Sequence, residues 1–232
     1  MRFIRNFFRK LKYKIRFLGK NNQKLVNYFV SSNITNKKLT ELMNYYGSDK
    51  GGVNKDHNFS DYYSEIFFHK KNEEIILLEV GLGSNNLTIP SNMGADGSPL
   101  ASLRAWRDYF KNGKIYGADI DKNILKNEER IKTYFVDQRE QESINNLFKN
   151  INEKKFDIII DDGLHEYSAN ICLLENSFKY LNSKGIYIIE DVFFKDKNKF
   201  LNYLKKKNYN FSIIDIYHEY NISNNCLITI YK

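Results

Sequence analysis

Apolar and polar positions change period several times along the chain. From residue 74 onward, short β-branched runs at 74–83, 114–121, 131–138, 156–163 and 185–192 predict strands. Stretches at 100–110, 122–130, 141–151 and 168–182 between them carry helical patterns. Such alternation predicts a doubly wound α/β sheet of five parallel βα units. Two further strand-like runs, 211–218 and 226–231, flank the turn-forming Asn221, Ser223, Asn224 and Asn225, and so predict a closing antiparallel hairpin. Residues 41–73 predict a helical cap in front of the sheet.

The first forty residues follow a different pattern. Ile4, Phe7, Phe8, Leu11, Ile15 and Leu18 recur at three- and four-residue steps, with Arg5, Arg9, Lys12 and Arg16 between them. A helix over about 2–18 would be amphipathic and basic, suited to an anionic membrane surface, to its own domain or to a second subunit. Charges interrupt the apolar positions too often for a secretory signal.

Charge sharpens this division. Of the 36 Lys and Arg in 232 residues, eleven lie in 1–40, where there is no Asp or Glu; the remaining 25 face 28 acids, so the formal +8 becomes −3 over 41–232. Basicity confined to a leader argues against a nucleic-acid-binding domain. With 42% hydrophobic residues the chain can build a sizeable core, and no apolar run reaches the ~18 residues of a membrane span. Cys172 and Cys226 make no disulfide framework, which places the chain in a reducing cytosol, with the membrane's inner face as a docking site for residues 1–20.

Candidate chemistry gathers at the predicted strand ends, where open α/β sheets bind ligands. The first strand ends Glu79-Val80-Gly81-Leu82-Gly83, whose glycines admit a ligand close to backbone; Asn86 stands where a dinucleotide fingerprint needs a third glycine. The second ends Gly117-Ala118-Asp119-Ile120-Asp121, with an acid suited to ribose hydroxyls, and the third Val136-Asp137-Gln138, suited to adenine. With no phosphate-binding loop, S-adenosylmethionine fits this set better than ATP or NAD. The fourth and fifth end Asp161-Asp162-Gly163-Leu164-His165 and Glu190-Asp191, a carboxylate cluster that calls for a hard cation such as Mg²⁺ or Mn²⁺, with His165 placed to take a proton. The plainer alternative makes Asp161 and Asp162 helix caps and His165 a surface residue. Glu79 and Asp96 are both candidates for a third metal carboxylate. Both prolines, Pro90 and Pro99, fall in 84–100, a loop long enough to expect a functional role. His57 is expected at the pocket mouth and Trp106 in the core.

Together with Gly47-Ser48-Asp49-Lys50-Gly51 and Ser102-Leu103-Arg104-Ala105-Trp106, these motifs resemble those of the macrocin/mycinamicin-type sugar O-methyltransferases and their relatives in surface-polysaccharide gene clusters. The resemblance spans 41–232 and leaves out the leader. It implies a Rossmann-like class I methyltransferase sheet, S-adenosylmethionine, a divalent metal and methylation of a sugar hydroxyl. By motif it makes Asp162 and Asp191 metal ligands, His165 the base, and Asp162 part of the catalytic pair. Ser48, Lys50, Glu79, Gly81, Gly83, Asp119, Ile120, Asp137, Gln138 and Asp161 become the cofactor set. The acceptor would be a sugar or nucleotide sugar. Two departures stand out: Ser48 replaces the family's usual Thr, keeping the hydroxyl, and Leu164 replaces the commoner Ser. The rival readings are an NAD-dependent nucleotide-sugar oxidoreductase or epimerase and a membrane-docked, non-catalytic module.

Overall fold

The computed structural model describes 26–29 (as backbone), 36–53 and 56–232. Eight strands form a single sheet: β1 Val26–Phe29, β2 Ile76–Val80, β3 Lys114–Asp119, β4 Ile131–Phe135, β5 Phe156–Asp161, β6 Leu181–Ile189, β7 Asn210–Ile216 and β8 Cys226–Tyr231. They lie in the order β1-β7-β8-β6-β5-β2-β3-β4. Only β8 runs antiparallel to its neighbours β6 and β7, so the C-terminal hairpin closes an otherwise parallel sheet, as the pattern predicts. Among the described residues the helices are α1 Lys38–Tyr46, α2 Phe59–Ile66, α3 Ala101–Tyr109, α4 Gln141–Ile151, α5 Tyr167–Ser177 and α6 Lys197–Lys206.

Period-two alternation along the central strands splits the core in two. Leu77, Ile158, Ile160, Ile188 and Ile214 face the layer containing Phe59, Tyr63 and Trp106. Leu78, Val80, Ile159, Ile189 and Ile213 face the layer containing Ile144, Phe148, Leu173 and Phe200. A sheet covered on both faces explains why its strands read as continuous apolar runs. On α4, Ile144, Leu147, Phe148 and Ile151 are all buried, the i, i+3, i+4, i+7 stripe of a helix lying on a sheet.

Three expectations are corrected. Residues 122–130 form no helix: a single 3₁₀ turn, Lys122–Ile124, leads into extended chain whose Glu128 bridges Ile131. Asp121 caps the turn through the Asn123 amide, and no apolar stripe follows to give a longer helix a buried face. The helix expected to reach 182 ends at Ser177, followed by a 3₁₀ turn to Tyr180, and β6 starts at Leu181 rather than at 185. Helix α6, absent from the sequence pattern as read, is Lys-rich and buries only Lys197, Phe200 and Leu204. The leader also contributes an edge strand, β1, parallel to β7; the amphipathic helix expected at 2–18 lies outside the described residues.

Strand order reverses between β2 and β5, the chain running β2-β3-β4 to one side and returning to β5 on the other. The carboxyl ends of β2 to β6 thus gather the motif residues at one edge, around the topological switch point. The cap, α1 and α2 with the 3₁₀ turn Asp49–Gly51 between them, supplies the opposite wall.

Candidate active site

A cleft of about 730 Å³ opens at that edge, within the range of small-molecule sites. Its walls come from the glycine turn after β2, the tips of β3, β4 and β5, the cap, and the loop after Ser84. Gly81 and Gly83 have φ of +96° and +77°. A Cβ on Gly81 would lie 2.0 Å from the Asp162 carbonyl oxygen, so the turn can pass the β5 tip only as glycine. The 84–100 loop, which has no helix or strand, is organised by Asn85, whose Nδ2 donates to the carbonyls of Gly94 (2.8 Å) and Gly97 (2.9 Å). Ser91 Oγ ties the loop to the β5 tip by donating to the Leu164 carbonyl at 3.0 Å.

At the tip of β3, Asp119 accepts from the Leu82 amide (2.6 Å) and the Asp121 amide (2.8 Å). Asp119 lines the cleft beside Ile120. Burial raises its pKa, offset in part by those amides. Asp121 spends its carboxylate on Ser84 and the 3₁₀ turn, the capping role open to one of the two aspartates. Asp137 reaches the wall but pairs with Arg139, Oδ2 to Nη2 at 2.6 Å. Gln138 also lines the wall, yet its amide is committed: Nε2 donates to Asp161 (3.1 Å) and Oε1 accepts from the Leu164 amide (2.8 Å).

Glu79 and Asp161, both expected at the cofactor, do not line the cleft. Asp161 is fully buried, accepting from Gln138 Nε2 and Asn170 Nδ2 (3.0 Å), and burial pushes its pKa up to about 6. Glu79, also fully buried, accepts from Trp106 Nε1 at 2.8 Å, so the tryptophan expected to be pure core packing also binds a carboxylate. Burial pushes Glu79 up to about 7.

At one side of the cleft Glu79, Glu190, Asp162 and Asp49 converge on one cation. Lys50, 2% exposed, contacts the Asp162 carboxylate and lies 3.1 Å from Glu190 Oε2, 3.5 Å from Glu79 Oε1 and 3.8 Å from Asp49 Oδ1. Burial alone would lower its pKa; the acids, led by Asp162 and Glu190, outweigh that and hold it well above the usual lysine value. Tyr63, from α2, donates to Glu190 Oε1 at 2.6 Å. Ser48 caps the turn that presents Lys50. Glu79 thus faces Lys50, while Asp96, the other candidate third carboxylate, lies on the loop lining.

In the cleft itself Asp162, His165 and Asp191 bring one ligand atom each within 4.8 Å of one another, the only such group of three or more His, Cys, Asp and Glu found among the described residues. His165 and Asp191 both hold left-handed backbone, φ +57° and +54°, a conformation costing ~1–3 kcal/mol for such residues and concentrated at functional sites. The two carboxylates, Asp162 and Asp191, are hard oxygen donors with no thiolate beside them, which suits Mg²⁺ or Mn²⁺ and leaves the His165 imidazole for proton transfer. His165 Nε2 stands 3.5 Å from Asp191 Oδ2. Sequence reading missed Tyr63 and the approach of His57 (3.0 Å) and Asn224 (3.1 Å) to Asp191; the asparagines of the β7–β8 connection register in a sequence only as turn formers.

No protein-family profile matches the chain. Curated relatives do. Demethylmacrocin O-methyltransferase of Streptomyces fradiae is 33% identical over 154 residues, covering 66% of this chain and 36% of that protein. Mycinamicin VI 2''-O-methyltransferase of Micromonospora griseorubida is 32% identical over the same length, and the 8-demethyl-8-alpha-L-rhamnosyl tetracenomycin-C 2'-O-methyltransferase of Streptomyces olivaceus 31%. This chain is a homologue of the macrocin- and mycinamicin-type O-methyltransferases. It spans little more than a third of those relatives' length.

Solved methyltransferase structures share the fold. MycE methyltransferase of the mycinamycin pathway, in complex with Mg and SAH, superposes with a TM-score of 0.65 at 26% identity, over 84% of this chain and 54% of that one. Its complex with Mg, SAH and mycinamycin VI gives 0.56 at 29% identity, over 68% and 40%. A Plasmodium falciparum ribosomal RNA methyltransferase at 16% identity and a TM-score of 0.50 shares the fold alone.

Proposed function

We propose that this chain transfers a methyl group from S-adenosylmethionine to a sugar hydroxyl with the help of a divalent cation. The observation that carries the reading is the Asp162–His165–Asp191 group, set beside a glycine-walled cleft at the switch point of the sheet. The relatives named for O-methylation of macrolide and rhamnosyl sugars support the same chemistry. Neither rival reading has such support: the glycine turn lacks a dinucleotide fingerprint, and a mere docking module has no need of a histidine among clustered acids.

In this reading Gly81 and Gly83 pass beside the methionine part of the cofactor and Asp119 takes the ribose hydroxyls, with Ile120 against the adenine. Asp162, whose Oδ2 is paired with Lys50, and Asp191 would hold the cation. When bound, S-adenosylmethionine would supply an electrophilic methyl on sulfur, and a divalent cation would supply a positive charge that favours the ionised form of a nearby hydroxyl. His165 removes the acceptor proton at Nε2. The acceptor oxygen forms its bond to carbon as the sulfur–carbon bond breaks, the electron pair staying on sulfur. Holding donor and acceptor in line supplies much of the acceleration.

We assign the acceptor to a capsule or lipopolysaccharide sugar, on the motif resemblance to enzymes of surface-polysaccharide clusters. We place the chain at the inner face of the membrane, docked through the basic leader; no helix among the described residues is long and apolar enough to cross a bilayer. Flotation with anionic liposomes should fall when Arg5, Arg9, Lys12 and Arg16 are all changed to Gln, and equal flotation would sink the docking.

The catalytic test is methyl transfer from labelled S-adenosylmethionine to a panel of nucleotide-linked and free sugars. Asp162→Asn and Asp191→Asn should abolish turnover while cofactor affinity is largely kept, and EDTA should do the same reversibly. Full activity in EDTA would remove the cation. His165→Ala within about tenfold of wild type would remove the base, which ordinarily contributes roughly 10²–10⁴-fold.

A further inference from the structure

Asp191 is held by two parts of the chain far apart in sequence. From the cap, His57 Nε2 lies 3.0 Å from Asp191 Oδ1; against a carboxylate this nitrogen is the donor. From the β7–β8 connection, Asn224 Nδ2 donates to the same oxygen at 3.1 Å. Oδ1 is thereby taken by two protein donors, and Oδ2, 3.5 Å from His165 Nε2, is the oxygen left for a ligand. His57 is itself fixed on three sides. Its ring stacks on Phe59, centroids 4.5 Å apart at 26°. With the proton on Nε2, Nδ1 accepts from Asn221 Nδ2 at 3.3 Å, and the Asn225 side chain packs beside it, Oδ1 at 3.2 Å. Asn225, wholly buried, is clamped in turn by donating from Nδ2 to Asn58 Oδ1 (2.8 Å) and the Ile216 carbonyl (3.0 Å).

We infer that His57 and Asn224 are positioning residues for the cation site: they occupy Asp191 Oδ1, fix the carboxylate's rotation, and so present Oδ2 as the ligand atom. The inference rests on the metal-assisted reading above and deepens it. It gives the cap and the hairpin connection a shared role, because each contributes one of the two donors. Removing such partners ordinarily weakens metal binding by 10–100-fold. His57 also lines the cleft, so its loss is read on metal affinity and cofactor affinity side by side.

The test is calorimetric titration of the full chain, stripped with chelator, with Mg²⁺ and with Mn²⁺, alongside titration with S-adenosylmethionine. His57→Phe keeps a flat ring against Phe59 but loses the donor; it should weaken Mg²⁺ at least tenfold while cofactor affinity moves less than twofold. His57→Gln, whose Nε2 can reach the same oxygen, should recover most of that loss. Asn224→Ala, at a half-buried position, should weaken Mg²⁺ by several-fold, and raising Mg²⁺ should restore kcat in both variants without changing acceptor KM. Mg²⁺ affinity within twofold of wild type in His57→Phe and Asn224→Ala would overturn the inference and leave the functional reading standing. If His57→Phe fails to fold, His57→Gln and Asn224→Ala decide the matter: the inference falls if Asn224→Ala binds Mg²⁺ as wild type does. Wild-type protein that binds neither ion would overturn the metal-assisted reading and this inference with it.

Discussion

Replacing Lys50 with Met would remove the one cation that Glu79, Glu190 and Asp162 share, at nearly unchanged side-chain volume. At an effective dielectric near 20, the 3.1 Å contact to Glu190 and the 3.5 Å contact to Glu79 are each worth about 5 kcal/mol of Coulomb attraction. Desolvating the ammonium consumes several kcal/mol of that, which leaves a net loss of ~3–5 kcal/mol, the usual result of removing one member of a buried ion pair. The sign of the pH dependence follows from Glu79. Its folded pKa, already pushed up to about 7, lies above the ordinary carboxylate value; a raised acid costs stability as pH rises towards its folded pKa. Below pH 7 Glu79 is protonated with or without Lys50 and adds little to the difference between variant and wild type. Above pH 7 the wild type ionises it beside Lys50, whereas the variant must keep it protonated or bury an unpaired charge. The destabilisation should therefore widen from pH 7 upward, by as much as ~1.4 kcal/mol per pH unit for each such carboxylate. Urea unfolding of both proteins at pH 5.5, 7 and 8.5 measures this. A loss under about 1 kcal/mol at pH 8.5, or an equal loss at all three pH values, would refute the account of Lys50 as the buried counter-ion.

Other perturbations separate the walls of the cleft from its supports. Gly81→Ala puts a methyl group 2.0 Å from the Asp162 carbonyl oxygen at a φ of +96°; it should weaken S-adenosylmethionine binding more than tenfold by calorimetry and lower Tm. Asp161→Ala leaves Gln138 Nε2 and Asn170 Nδ2 without their buried acceptor, at ~1–3 kcal/mol each, read by denaturant unfolding at pH 8. For the wild type, the raised Asp161 means that its contribution to stability should improve on acidification from pH 7 towards 4, and Asp161→Asn should flatten that part of the pH profile. Trp106→Phe should cost ~1–3 kcal/mol by stranding Glu79 Oε2, with Mg²⁺ affinity unchanged.

The parallel strands and the acids at their tips were legible because each signal is local: an apolar run for a strand covered on both faces, then a polar residue where the strand leaves the core. Asp119, Asp162, His165 and Asp191 all stand one or a few residues past the last apolar position of their strands, and the sheet order brings them to one edge. What the supports touch was hidden for the opposite reason. Lys50 lies in a turn of the cap, 112 residues from Asp162; Tyr63 reads as one aromatic on an amphipathic helix and meets Glu190 across 127 residues. No periodicity relates positions that meet only when two layers close on each other. The same holds for His57 and Asn224, one beside a helix start and one in a polar turn, which reach a single oxygen of Asp191. Local charge pattern also misassigned depth, because Glu79 and Asp161 follow the same strand-end rule as Asp162 yet lie one layer back, turned towards Trp106, Lys50, Gln138 and Asn170. An acid on a strand tip can face the ligand or the layer behind it, and what decides is the donor waiting in that layer: Asp161 and Glu79 meet buried N–H groups that would otherwise go unpaired. Asp191 lies between the cases, with one oxygen given to the protein and the other kept at the cleft. Division of one carboxylate between scaffold and ligand is how the fold can hold a hard-cation site rigid without consuming it.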